Sequence, residues 1–304
     1  MVFTTCIGAS LGLLRGECFD VVLVDEASQQ TEPATLVPLV KGCSRAILVG
    51  DHVQLRATVQ PSAALTGYDV SLFERHYNMP ERKGVARVML DTQYRMHRNI
   101  CNFSSIEFYN DELKTAVSED SRPLPVSQFP WPNDNRLVWI ECGSPEDLGH
   151  QSKANRGQTE LCKRVVQLLT SREPDTISKS SKLPQPLIAI LTPYTRQKEA
   201  LGGAISNVEI SSIDGFQGRE ADIVIFVTVR CNVSCEIGFL ADMRRLNVVM
   251  TRAKCGVVII GNKSTLTGGT EMGSDLGESK KVWQRLVGRC QTILIDADEP
   301  QTSK

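Results

Sequence analysis

Short apolar runs recur along the chain: "VVLVD" (21–25), "AILVG" (46–50), "ARVML" (86–90), "LVWIE" (137–141), "LIAIL" (187–191), "IVIFVTV" (223–229) and "GVVIIG" (256–261). Most are continuous rather than alternating. Strands covered on both faces of a parallel sheet read this way, because neither side meets water. Helical patterns lie between them. "QTELCKRVVQLLT" (158–170) places Leu161, Val165, Leu168 and Leu169 on one face. "DMRRLNVVMTRAK" (242–254) predicts another helix and "KKVWQRLVGRC" (280–290) a last amphipathic one. Strands alternating with helices predict a doubly wound α/β fold with parallel sheets. Segments 78–84, 118–135 and 267–279 read as an interdomain linker, a Pro-rich loop and a flexible connection. The tail "DADEPQTSK" reads as disordered. There is no internal repeat.

Length and composition narrow this only a little. A chain of 304 residues suggests about two domains. The net charge of −1 predicts neither a nucleic-acid nor a membrane partner, although 34 Lys and Arg can still form a local basic groove. No run reaches the ~20 apolar residues that cross a bilayer. The start, "MVFTTCIGASLGLLRG", lacks the basic and long apolar regions of a signal peptide. The ten scattered cysteines therefore read as reduced thiols in the cytoplasm or nucleus. Cys231 and Cys235 form an isolated C-x-x-x-C with no second pair or His nearby, which reads as unligated rather than zinc-binding.

Candidate chemistry gathers at the ends of the runs. "FDVVLVDEASQQ" (19–30) drives a buried strand into Asp25 and Glu26. The first carboxylate can hold Mg²⁺ and the second can take a proton from an attacking water. Acids are also favoured at a helix N-terminus, so the pair alone decides nothing. "LVGDHVQL" (48–55) ends a second run in Asp51, with Gln54 placed to sense a γ-phosphate or to orient water. In "DTQYRMH" (91–97), Tyr94 offers a face for a base and Arg95 a rigid fork for phosphate. In "SSIDGFQGRE" (211–220), Gly215 and Gly218 permit tight turns or close approach, and Glu220 can bond a ribose hydroxyl. "LNVVMTRAK" (246–254) presents Arg252 from a helix as an arginine finger.

Taken together and in this order, "VDEASQ", "GDHVQL", "QYRMH", "LTPYTRQ", "DGFQGRE" and "NVVMTRAK" resemble motifs II, III, IIIa, IV, V and VI of superfamily 1 helicases. The branch is that of the nonsense-mediated-decay RNA helicase and its relatives, which translocate 5′ to 3′. The resemblance runs from about Thr4 to Lys263. It implies RecA-like P-loop NTPase folding, with ATP and Mg²⁺ in a cleft between two RecA-like domains and single-stranded nucleic acid as partner. Carried over by motif, Asp25 would hold Mg²⁺, Glu26 would activate water and Gln54 would contact the γ-phosphate. Tyr94 would stack on adenine, Arg95 and Arg252 would reach the γ-phosphate, and Glu220, after Gly218, would bind the ribose. Thr4 and Thr5, with Thr192, Pro193 and Tyr194, would touch the nucleic-acid backbone.

One part of that family pattern is missing. No G-x-x-x-x-G-K-[ST] phosphate loop occurs. The nearest string, "GVVIIGNKS" (256–264), has Asn262 between Gly261 and Lys263, and a strand core where a loop is needed. A smaller departure is "QLRAT", where many relatives have Pro soon after the Leu. The resemblance thus implies a chain that starts inside the first RecA domain. It would consist of a partial domain over 1–87, a complete one over 88–270, and a C-terminal helix and tail over 271–304. Two functions follow: the C-terminal part of an ATP-dependent helicase with little ATPase activity of its own, or a non-catalytic nucleic-acid-binding or interaction module derived from one. A metabolic dinucleotide enzyme is excluded, since no G-x-G-x-x-G follows the first strand.

Overall fold

The computed structural model describes residues 1–80, 83–133, 135–148, 152–171, 185–268 and 277–295. The chain divides into two compact units, Met1–Met89 and Leu90–Lys304. The tail 296–304, most of the connection 267–279 and part of the linker 78–84 fall outside the described residues.

The first unit contains strand β1 (Val21–Val24), helix α1 (Glu32–Leu39), strand β2 (Arg45–Leu48) and helices α2 (Pro61–Ala64) and α3 (Leu72–Asn78). β1 and β2 pair in parallel, Val21 with Arg45 through Val24 with Leu48. The sequence led us to expect both strands to be covered on both faces. Instead Val21 is 54 % and Leu23 60 % exposed, and only Val24 is buried. The sheet has just these two strands, so one face lacks a covering layer among the described residues. Arg56 ties the unit together, pairing with Asp69 at 3.0 Å and with Glu74 through Nε at 2.7 Å. The buried Ser71 hydroxyl caps α3 by accepting from the Glu74 amide at 3.0 Å.

The second unit begins with strand β3 (Thr92–Gln93), helix α4 (Arg98–Phe108) and strand β4 (Lys114–Thr115). Its main sheet uses β5 (Leu137–Glu141), β6 (Ile188–Thr192), β7 (Glu209–Ser212), β8 (Ala221–Val227), β9 (Ala253–Gly261) and β10 (Gln291–Ile293). Helices α5 (Arg156–Thr170), α6 (Thr195–Ala204), α7 (Met243–Thr251), α8 (Lys263–Thr267) and α9 (Glu278–Arg289) connect and cover it. The six strands are parallel, in the order β10-β5-β9-β8-β6-β7. The chain winds outward from β6 to β7 and, in the other direction, from β8 to β9. The topological switch point therefore lies between β6 and β8. β5, β6, β8 and β9 are almost wholly buried, as their continuous apolar runs require.

Several expectations are corrected. Residues 86–90 form no strand. The helix expected over 242–254 ends at Thr251, because β9 already starts at Ala253. β7 and β10 had no apolar signature; "EISS" and "QTI" are short edge strands with one apolar residue each. The C-terminal helix belongs to the second unit. Trp283 of α9 is fully buried, donates from Nε1 to the Leu240 carbonyl at 3.0 Å and stacks on Phe226, and β10 extends the main sheet beside β5. The Pro-rich loop also feeds the core, with Phe129 buried and edge-on to Trp131 at 4.7 Å.

Candidate functional site

In the first unit the parallel register brings the C-terminal ends of β1 and β2 side by side. The Ala27 amide donates to the Val49 carbonyl at 2.8 Å, and the Asp51 amide to the Ser28 hydroxyl at 3.3 Å. Gly50 makes this approach possible: a Cβ there would lie 2.9 Å from the Ser28 nitrogen. Asp25 and Glu26 therefore stand next to the Asp51–Gln54 turn. Asp25 and Glu26 are exposed, and the Asp25 carboxylate accepts from the Glu26 amide at 2.9 Å. Glu26 has φ 50° and ψ 39°, left-handed backbone that an L-residue adopts at a cost of about 1–2 kcal/mol. Its carboxylate accepts from Gln29 at 2.7 Å, and Gln54 donates to Asp51 at 2.7 Å. Thr4 and Thr5 are exposed at the start of the unit, with the Thr5 hydroxyl accepting from the Gly8 amide at 3.0 Å.

In the second unit the arginines gather at the N-terminal edge of the sheet. Tyr94 is 72 % exposed, so its ring is available as a stacking face. The loop that presents it is fixed from within. Gln93 Oε1 accepts from the Arg95 and Met96 amides at 2.8 and 2.7 Å, and Arg122 donates to the Tyr94 and Arg95 carbonyls at 2.9 and 2.8 Å. Arg95 Nε pairs with Glu220 at 2.7 Å, and Lys254 pairs with the other Glu220 oxygen at 2.8 Å. These cations, Lys254 foremost, hold the Glu220 carboxyl down to about 2. Gly218, at φ 75°, supplies the left-handed turn that feeds Glu220 into β8. Arg252 does not project as a finger. It caps α7, is 4 % exposed, and donates to the Val248 and Arg219 carbonyls and to the Thr251 hydroxyl. Of the two arginines assigned to phosphate, Arg95 is the accessible one.

The nucleic-acid candidates lie at the opposite edge. β8 is 7 residues long, so the two edges are roughly 20 Å apart at ~3.3 Å per residue. Thr192 ends β6 with its side chain fully buried and its hydroxyl without a hydrogen-bond partner. Tyr194 is also buried, which pushes its phenol up in pKa, with Arg230 opposing. Of the three residues assigned to the strand here, only Pro193 is half-exposed; Thr192 and Tyr194 cannot offer side chains in this conformation. Across the switch point, Val229 has φ 71°, which is strained for a β-branched residue. Gln158 and Asn155 lock it, accepting from its amide at 2.7 Å and donating to its carbonyl at 3.1 Å. The next residue, Arg230, pairs with Glu146 at 3.2 Å, both side chains being about 5 % or less exposed.

Sequence reasoning missed Lys254, Arg122 and Gln93, although Lys254 and Gln93 sit inside quoted motifs; nothing marks Arg122. A cavity of about 520 Å³ lined by Arg98, Asn102, Asn135, Leu137, Arg289 and Gln291 opens at the first residues of β5 and β10, and contains none of the motif residues. Among the described residues no group of three His, Cys, Asp or Glu side chains is arranged to hold a metal, and no helix is long and apolar enough to cross a membrane. All ten cysteines are free thiols.

Two family models, each described as an AAA domain, match residues 1–62 and 68–264. The chain is 38 % identical over 279 residues to the regulator of nonsense transcripts 1 homolog of Drosophila melanogaster, covering 88 % of this chain and 23 % of that protein. It is 37 % identical over 285 residues to the ATP-dependent helicase NAM7 of Saccharomyces cerevisiae, covering 89 % of this chain and 28 % of that one. The chain thus spans about a quarter of the length of these curated relatives. A solved PRRSV helicase aligns over 83 % of this chain and 37 % of its own at 16 % identity and a TM-score of 0.42, too weak a likeness to bear on the argument. The match over 68–264 places the chain in the AAA-domain family, and its curated relatives include a regulator of nonsense transcripts 1 homolog and the helicase NAM7.

Proposed function

We propose that these residues are part of an ATP-dependent helicase that couples ATP hydrolysis to 5′ to 3′ movement along single-stranded nucleic acid, in the cytoplasm or nucleus. The observation that carries this reading is Glu26. Strained left-handed backbone at an exposed carboxylate, directly after Asp25 and beside the Asp51–Gln54 turn, persists only where the surroundings enforce it. Asp25 offers one oxygen, which suits Mg²⁺, an ion that keeps waters and phosphate oxygens for its other positions. Bound Mg²⁺–ATP would supply the phosphoryl group and its counter-charge. Glu26 accepts a proton from water, and Gln54 contacts the γ-phosphate. Tyr94 stacks on the base, Glu220 after Gly218 meets the ribose, and Arg95 serves the phosphate, with Arg252, buried under its own helix, joining only once it leaves the Val248 and Arg219 carbonyls. Thr4, Thr5 and the 192–194 segment face the strand, with main chain and Pro193 rather than buried side chains making the contact. RNA is favoured over DNA because the relatives are named regulators of nonsense transcripts.

The rival reading is a non-catalytic binding module; these 304 residues contain no G-x-x-x-x-G-K-[ST] loop and by themselves hydrolyse ATP slowly. Grafting decides between them. Residues 1–304 replace the homologous stretch of NAM7, and strand-stimulated ATP hydrolysis is measured. A folded chimera that hydrolyses ATP, and loses that activity by orders of magnitude with Glu26→Gln, supports the helicase. A folded chimera as slow as its Glu26→Gln variant supports the module.

A further inference from the structure

Glu220 is the hub of a three-residue charge cluster assembled from distant positions. Arg95 follows β3, Glu220 immediately precedes β8, and Lys254 is the second residue of β9. The register that pairs Ala221 with Ala253 brings the last two together. Each carboxylate oxygen serves one cation: Oε2 takes Arg95 Nε at 2.7 Å and Oε1 takes Lys254 Nζ at 2.8 Å. Arg95 Nη1 also donates to the Thr251 carbonyl at 2.9 Å. The more accessible of the two phosphate-directed arginines is therefore already engaged by the protein itself.

The division of labour between the two oxygens has a consequence. A phosphate oxygen can draw Arg95 away from Oε2 only by competing with a carboxylate for the same guanidinium. Once Arg95 leaves, Glu220 still has Lys254 on Oε1, so the exchange strands no bare charge. The carboxylate stays ionised throughout, because a glutamate is ionised at neutral pH and Lys254, the foremost of the two cations, still lowers its pKa after Arg95 has left.

We propose that Glu220 is an internal competitor that restrains Arg95 until a polyphosphate displaces it, and that Lys254 is the positioning residue that keeps Glu220 in place during the exchange. The proposal rests on the nucleotide reading above and extends it, since it gives Glu220 a task before any ribose is present.

The test uses magnesium tripolyphosphate, which has no ribose or base, titrated calorimetrically into the 304-residue chain at low salt. If Glu220 competes, Glu220→Gln binds the probe several-fold more tightly than the native chain. That gain disappears in an Arg95→Gln background, and equally in Arg95→Met should the first variant fail to fold. Lys254→Met weakens binding, Lys254→Arg restores it, and the Lys254→Met effect shrinks once Glu220 is Gln. A gain of the same size with and without Arg95 would reduce Glu220 to a generic negative charge and overturn the proposal. So would the absence of any gain, including no binding by any variant. ATP, titrated in parallel, separates the two readings. Tripolyphosphate gain without ATP binding keeps the competitor and sinks the nucleotide site; ATP binding without the gain does the reverse.

Discussion

Glu26 combines a left-handed backbone, at φ 50°, with the carboxylate assigned to the attacking water. Glycine at that position would release roughly 1–2 kcal/mol of backbone strain while losing about 0.5–1 kcal/mol to its greater freedom in the unfolded chain. The Gln29 bond is exposed and offsets little. Glu26→Gly is thus expected to stabilise the first unit by about 0.5–1 kcal/mol, and Glu26→Val to destabilise it, in urea unfolding followed by circular dichroism. A less stable Glu26→Gly would show that the conformation is not strained. The identity of such residues was legible because motif spacing survives in the letters. Their engagement was not. Arg95 and Glu220 are 125 positions apart, and neither periodicity nor composition says that they pair. The burial of Arg252 was equally invisible, since "NVVMTRAK" reads the same whether the side chain points outward or folds under its own helix.

Helix α4 shows how an element sets its own pH dependence. His97 caps it: the buried imidazole Nδ1 accepts from the Asn99 amide at 3.2 Å, while the His97 amide donates to the Lys254 carbonyl at 2.8 Å, pinning the helix start to β9. A capping imidazole must be neutral at Nδ1. Burial, with the Arg136 and Arg98 charges, lowers its pKa, and Glu119 opposes them. The sign follows directly. The folded state binds the proton less readily than the unfolded one. The His97 contribution is therefore fully present above the ordinary histidine pKa of about 6.5, and is lost as pH falls below it. His97→Asn, which caps without titrating, should flatten the decline in Tm of the second unit between pH 7 and 5.5. His97→Ala should cost about 1 kcal/mol at pH 7.5. An unchanged slope in His97→Asn would assign the decline to other groups. The sequence revealed α5, α7 and the central strands because apolar spacing is strong there. It concealed β7 and β10, since an edge strand with one covered face needs little apolar material.

At the scale of the whole chain, the two units differ in how completely they cover their strands. The second has a six-stranded sheet with Trp139, Phe226 and Trp283 fully buried in its core. The first has two paired strands with Val21, Leu23 and Ile47 exposed. Burying a Val or Leu side chain is worth about 1.5–3 kcal/mol, so several such contributions are missing from the first unit. Calorimetry is expected to show two transitions, the first unit melting at the lower temperature. Limited proteolysis should leave a core that begins between about residues 80 and 95 and retains α9 and β10. Two substitutions tell the transitions apart. Trp283→Ala removes the ring stacked on Phe226 and its bond to Leu240, and should cost about 3–5 kcal/mol in the upper transition alone. Leu23→Lys, placing a charge where the side chain is already 60 % exposed, should leave the upper transition untouched and reduce aggregation on heating. A single transition shifted by both substitutions would show that the units unfold together. A proteolytic core that ends before Glu278 would show that α9 is not held by the sheet, against the burial of Trp283.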